Sequence, residues 1–196
     1  MSARLRLVLL LLMLAGTDAA LAHSDAQGLA GGFFSGFAHP LRGLDHLIAM
    51  VGVGLWGAFL GRPAIWVLPV VFPLVMAFGG LLGLIGMPLP GVEVGIALSA
   101  LVIGAMVALA ARPPLWVAAV IVGAFAVFHG HAHGTELPEA ANALAYSLGF
   151  VIATGLLHLA GIAFGLLVRW PLGNRAVRAG GGCIAAAGVG FLFGVW

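Results

Sequence analysis

The chain consists largely of apolar stretches separated by short segments that contain Pro, Gly or Arg. A helix needs roughly 20 apolar residues to cross a bilayer. After a polar leader, six stretches reach or approach this length. They predict transmembrane helices at residues 41–60, 64–85, 92–111, 115–129, 141–168 and 179–196. The predicted fold class is therefore all-α, a polytopic membrane protein with a bundle of six transmembrane helices.

The first 22 residues have the pattern of a cleavable signal peptide. Arg4 and Arg6 precede a short apolar run at residues 7–14, and Ala20-Leu21-Ala22 is a small-x-small cleavage site. The alternative is an uncleaved first span, but the run is shorter than a span requires. We therefore expect a signal peptide at residues 1–22 and a single membrane domain at residues 23–196.

The distribution of charge predicts an orientation. With the mature N-terminus outside, the cytoplasmic loops contain most of the basic residues, namely Arg62, Arg112, Arg169, Arg175 and Arg178. The acidic residues fall mainly on the other side. This is the positive-inside bias. It predicts a multi-pass protein of the bacterial inner membrane whose mature N-terminus is periplasmic.

Composition excludes several classes of function. The chain is 63% hydrophobic and 7% charged, whereas soluble domains contain about 25% charged residues. Its eight basic residues are arginines scattered along the chain, so we expect no nucleic-acid partner. The sequence contains no P-loop glycine motif, so we expect no bound nucleotide. Cys183 is the single cysteine, which excludes an intrachain disulfide and a Cys-rich metal site.

The stretch at residues 39–46, here called the first motif, places ionisable residues at the start of the first span. Proline suits the first turn of a helix, so we predict a helix that begins at Pro40 with His39 at its cap. His39, His46 and Met50 would then share one face, with Gly43 leaving room for a cation between the two rings. Arg42 and Asp45 would pair at i,i+3. The alternative is that the glycines serve packing and the polar residues satisfy each other, but two histidines and a thioether on one stripe favour metal binding.

The stretch at residues 128–136, here called the second motif, contains His129, His131, His133 and Glu136. In a continuous helix, His129 and His133 would share a face and His131 would point away. The nearby glycines and proline predict instead that the helix frays, so that all three rings could converge. Imidazole suits nickel, cobalt, copper and zinc, and Glu136 adds an oxygen ligand. Solvated loop histidines are the alternative, but a short His-rich tract favours metal.

Two further histidines are candidates for the ion pathway. His158 lies deeper in the fifth span, one turn after Thr154, and could be an inner relay for the ion. It could equally be a structural histidine bonded to Thr154 or to a backbone carbonyl. Cleavage after Ala22 would leave His23 with a free amine beside its imidazole, a candidate chelate, although a polar leader without metal is favoured.

The two motifs together resemble the signatures of the HupE/UreJ family of nickel/cobalt permeases. The matching residues are His39-x5-Asp45-His46 and Phe128-His129-Gly130-His131-Ala132-His133-Gly134-Thr135-Glu136. The resemblance extends over essentially the whole chain. It implies a permease, not an enzyme, that moves nickel or cobalt ions from periplasm to cytoplasm and supplies enzymes such as hydrogenase or urease. The ion would be cargo, and no tightly bound cofactor is expected.

Two other classes of function remain open. An intramembrane zinc hydrolase could hold its metal with His46, Asp45, His129 and His133, with Glu136 or Asp45 as general base. A non-transporting assembly factor for metal enzymes is the third hypothesis.

Overall fold

The structure, a computed structural model, describes residues 28–136 and 142–195. The predicted signal peptide and His23 lie outside these residues. The described part of the chain is all-helical, with no strands. Its helices are α1 (Leu29–Arg42), α2 (Leu44–Leu60), α3 (Ala64–Leu84), α4 (Val92–Ala108), α5 (Leu115–Thr135), α6 (Ala143–Gly165), a 3-10 turn (Leu166–Arg169) and α7 (Pro171–Leu192).

Three stretches are long and apolar enough to cross a membrane: α3, α5, and α6 with its 3-10 turn. The pair α1 and α2 qualifies as a fourth, and helix α4 is apolar but has only 17 residues. Helix α7 does not qualify, since its first half contains Arg175 and Arg178 among glycines. A multi-pass membrane protein is supported, whereas the six predicted spans are not all confirmed.

The start of the first span differs from the prediction. Pro40 does not begin a helix but lies near the end of α1, and the glycine-rich segment before it is helical. The helix ends at Gly43, whose extended backbone separates α1 from α2, and the two axes are bent by 83°. Proline removes one intrahelical hydrogen bond and glycine is a poor helix former, which explains a break here. His39 and His46 therefore do not share one helical face.

Close backbone contacts at glycines show the relative directions of the packed helices. A Cβ at Gly79 would collide with the Val127 backbone, and one at Gly83 with the His131 carbonyl, so α3 and α5 run parallel. Close backbone approach at small residues is typical of membrane helix pairs. Similar contacts pair α2 with α6 in parallel, whereas those of Gly104 and Gly188 pair α4 with α7 antiparallel. These directions agree with a chain that crosses alternately, and they place both motifs at one end of the bundle.

The outer surface of α3 has the character expected of a lipid-facing helix. Trp66, Val70, Leu74 and Phe78 recur every four residues and are all exposed. The opposite face contributes Leu68 and other side chains to the core. Because apolar side chains face both inward and outward, the helix is hydrophobic all round, as a membrane span should be.

Candidate metal centre

Four histidines from the two motifs meet at the end of the bundle where α1, α2 and α5 converge. The His46 ring centroid lies 4.9 Å from that of His129 and 4.5 Å from that of His133. The His39 ring lies 4.9 Å from that of His133. We call His39, His46, His129 and His133 the four-histidine cluster. The tertiary structure thus brings together rings that lie far apart in the sequence.

The orientation of His46 is set by its neighbour Asp45. One carboxylate oxygen of Asp45 accepts a hydrogen bond from the His46 backbone N–H at 2.8 Å and lies 2.9 Å from His46 Nδ1. A carboxylate oxygen can only accept, so the proton is on Nδ1. In the neutral ring, Nε2 then carries a lone pair, and this buried atom has no hydrogen-bond partner in the described part of the chain. The predicted pair of Asp45 with Arg42 is therefore wrong, because Asp45 pairs with His46.

Gly43 has a different role from the predicted one. A Cβ at this position would lie 2.9 Å from the Asp45 carboxylate and 3.2 Å from His46 Nδ1. The missing side chain therefore leaves space for the Asp45–His46 hydrogen bond. It does not open a gap for an ion between His39 and His46 on one helix, because the chain bends at this residue.

His39 and Glu136 form the more exposed part of the site. His39 Nε2 lies 3.2 Å from a Glu136 carboxylate oxygen, and the Glu136 side chain is 53% exposed. One ligand atom each from His39, His133 and Glu136 lie within 4.8 Å of one another. Two imidazoles and a carboxylate at this spacing can bind a borderline divalent ion such as nickel, cobalt or zinc.

The histidines of the second motif are more deeply buried. Helix α5 continues to Thr135, so the predicted fraying is wrong, and His129 and His133 share one face. His129 is fully buried, and its Nε2 lies 2.9 Å from Ser99 Oγ. Its Nδ1 has no hydrogen-bond partner within residues 28–136 and 142–195. Neither ring nitrogen of His133 has a hydrogen-bond partner among the residues that the structure describes. Because unpaired buried polar atoms are costly, these nitrogens fit ion ligands.

His131 faces away from the four-histidine cluster. Its Nε2 donates a hydrogen bond to the Met87 carbonyl at 2.7 Å. This contact ties the loop after α3 to α5.

Met50 and His158 also lie outside the four-histidine cluster. Met50 is fully buried in the core. The His158 ring is 2% exposed and lies beside the Pro69 carbonyl. Pro73 has no N–H with which to bond that carbonyl, so the oxygen is left free for the imidazole. This contact agrees with the structural alternative for His158, but its buried Nε2 has no hydrogen-bond partner among the described residues.

The Phe72 ring contacts both the cluster and His158. Its centroid lies 5.4 Å from that of His129 and 5.5 Å from that of His158. Phe72 itself is fully buried. An apolar ring thus links the outer histidines to the deeper one.

Sequence reasoning missed several residues around the site. Tyr146 and Phe150 of α6 lie against His39, and the Phe150 ring is 4.4 Å from that of His133. An aromatic residue in an apolar span carries no signal of such a contact. Ser99 did carry a sequence signal, since a hydroxyl within the apolar run of α4 needs a polar partner.

The comparisons with known proteins agree with the two motifs. The family model described as HupE / UreJ protein matches residues 9–191. A relative named Protein HupE, from Rhizobium leguminosarum bv. viciae, is 45% identical over 174 residues, which cover 89% of this chain and 91% of that protein. No protein of known structure matches the chain. With a family model matched over most of its length and a relative of this similarity, the chain belongs to the HupE/UreJ family.

Proposed function

We propose that this protein is a permease that carries a divalent transition-metal ion, nickel or cobalt, from the periplasm to the cytoplasm. The observation that carries the proposal is a group of buried ring nitrogens of His46, His129 and His133 between apolar helices, for which the described residues provide no hydrogen-bond partner. Ionisable residues at membrane depth are costly and are usually retained for function. Membership of the HupE/UreJ family supports the proposal, with supply of nickel to hydrogenase or urease as the physiological role.

Capture of the ion begins at the exposed end of the site. His39 and Glu136 are partly exposed, so they meet the hydrated ion first. The ion then passes to His46, His129 and His133 as water ligands are replaced by imidazole nitrogens. Passage requires ligands that admit the ion and release it again. Neutral imidazoles meet this requirement better than a cage of thiolates, and the chain has a single cysteine.

Deeper passage involves the region between His129 and His158. Phe72 contacts both rings and has no polar atom to bind an ion, so its side chain must move for the ion to advance. His158 is the inner ligand and binds through Nε2, which no residue in the described ranges hydrogen-bonds. Met50, a thioether buried in the same core, completes the proposed pathway.

The protein is proposed to lie in the bacterial inner membrane with its mature N-terminus in the periplasm after loss of residues 1–22. The arginine distribution supports this orientation, and the alternating directions of the packed helices are compatible with it. Both ends of the mature chain would then be periplasmic. A reporter that works only outside the cytoplasm should be active when it is fused after the last residue. Activity of a cytoplasm-specific reporter at the same position would refute the orientation.

Uptake into proteoliposomes that contain only the purified protein tests the function. We expect nickel or cobalt to accumulate inside the vesicles, and His46→Ala to abolish accumulation at low ion concentration. Metal binding without accumulation would indicate an assembly factor. Metal-dependent hydrolysis of a peptide or ester without accumulation would indicate the enzyme alternative.

A further inference from the structure

Ser99 is a buried hydroxyl with two contacts that constrain each other. It lies in α4, is fully buried, and its Oγ is 2.6 Å from the Ile96 carbonyl and 2.9 Å from His129 Nε2. A serine hydroxyl has one proton to donate. A carbonyl oxygen can only accept, so that proton goes to Ile96.

The direction of the second hydrogen bond follows from the first. With its proton on the Ile96 carbonyl, Ser99 Oγ can only accept from His129, whose Nε2 must therefore carry the ring proton. In the neutral ring the lone pair is then on Nδ1. This is the buried atom of His129 to which no described residue offers a hydrogen bond.

We propose that Ser99 is a positioning residue that holds His129 in its Nε2–H tautomer, so that Nδ1 is the nitrogen presented to the metal ion. The inference rests on the proposed function, in which His129 is a ligand. Ser99 acts on His129 as Asp45 acts on His46, where a hydrogen bond to Nδ1 leaves Nε2 free. Partners of this kind set the tautomer and ring orientation of metal-binding histidines.

Loss of the hydroxyl removes this constraint. In Ser99→Ala, the Nε2 of His129 has no acceptor in its buried site, so the ring is free to change tautomer or rotate. Removal of such a partner typically lowers metal affinity by about 10- to 100-fold. Ser99→Thr retains the hydroxyl, so it should keep both the Nε2–H tautomer of His129 and the wild-type metal affinity.

Two measurements on the full-length protein in lipid nanodiscs test the proposal. Nitrogen-15 NMR of histidine-labelled, metal-free protein reports which ring nitrogen is protonated, with the His129 signals assigned by His129→Gln. Titration with Ni²⁺ gives the affinity. We expect the Nε2–H tautomer at His129 in the wild type and in Ser99→Thr, its loss in Ser99→Ala, and a drop of about 10- to 100-fold in Ni²⁺ affinity for Ser99→Ala alone.

Thr154→Val is the matched control. It removes a hydroxyl that is also fully buried, outside the four-histidine cluster, and it conserves side-chain shape. This variant should leave the tautomer of His129 and the Ni²⁺ affinity unchanged.

The outcomes separate the inference from the proposed function. An Nδ1–H tautomer in the wild type would overturn the role of Ser99, even if the variants failed to fold. Equal losses of affinity in Ser99→Ala and Ser99→Thr would also overturn it, because they would indicate packing rather than hydrogen bonding. Wild-type protein with the expected tautomer but no Ni²⁺ binding would contradict the proposed function and with it the ligand role of His129.

Discussion

His39 and Glu136 are joined across two helices, with His39 Nε2 3.2 Å from a Glu136 carboxylate oxygen. His39 is near the end of α1 and Glu136 directly follows α5. This contact links the first motif to the second at the exposed edge of the four-histidine cluster. A carboxylate here both orients an imidazole and offers its own oxygen to a cation.

The charge of Glu136 should therefore contribute to metal affinity. Glu136→Gln keeps the shape and one acceptor oxygen but removes the negative charge, and we expect Ni²⁺ affinity to fall by about tenfold. Isothermal titration of the purified protein measures this. Glu93→Gln removes the same charge from an exposed side chain in the first turn of α4 and serves as the control. An equal effect in both variants would indicate general electrostatic attraction instead of a site at Glu136.

His46 and His129 should act on one shared ion, with their rings 4.9 Å apart. His46→Ala and His129→Ala should each abolish high-affinity uptake, and the double variant should be no worse than either single one. Residues that act on one site give non-additive effects. Initial uptake rates at low Ni²⁺ concentration provide the measurement. Two partial defects that multiply would point to separate sites, and wild-type uptake in His46→Ala at normal expression would end the proposal.

Gly43→Ala should weaken metal binding without unfolding the protein. The added Cβ would lie 2.9 Å from the Asp45 carboxylate, so the Asp45–His46 hydrogen bond must shift. We expect a loss of Ni²⁺ affinity of about 10-fold or more, as when a hydrogen-bond partner of a ligating histidine is lost. Gly182→Ala is the control because a Cβ there meets nothing within 4 Å. Unchanged affinity in Gly43→Ala would show that the pair tolerates displacement.

His158→Ala should separate binding from passage. His158 lies outside the four-histidine cluster, so Ni²⁺ affinity at the outer site should stay close to that of the wild type. Flux into proteoliposomes should fall, since the inner ligand is lost. Parallel binding and uptake assays decide the point, and normal flux at normal protein levels would remove His158 from the pathway.

The mature protein should begin at His23. The Ala20-Leu21-Ala22 site follows an apolar run too short for a span. N-terminal sequencing of membrane-inserted protein should recover His23 as the first residue. Recovery of an intact Met1 or Ser2 terminus would show that residues 1–22 are retained and would change the topology.

The motifs were recognisable in the sequence because they are local. Two histidines with an aspartate, and three alternating histidines with a glutamate, carry a chemical signal that does not depend on the fold. The contacts that the motif histidines make with residues of other helices carry no such local signal. Ser99 reaches His129 only because α4 packs beside α5, and Phe150 reaches His133 only through the docking of α6. No spacing rule within one helix predicts either contact.

The shape of the first motif shows the same limit. Pro40 is compatible both with the first turn of a helix and with a late turn that precedes a break, and local preferences do not choose between them. Contacts with another helix decide between the two. Helix α1 lies along the first part of α6, where Gly36 contacts Tyr146. Helix α2 packs further along α6, where Gly54 contacts His158. The 83° turn at Gly43 accommodates both contacts.

An all-helical membrane protein could be predicted from the amino-acid order, because hydropathy over about 20 residues is a property of the chain alone. The resemblance to the HupE/UreJ family could also be predicted, because it rests on two short motifs. The packing of the helices was needed to show that His39, His46, His129 and His133 adjoin one another and that His131 faces elsewhere. Which nitrogen of a ring is left free depends on hydrogen-bond partners supplied by the surrounding fold. Ser99 comes from another helix, and the Asp45–His46 pair depends on the space at Gly43.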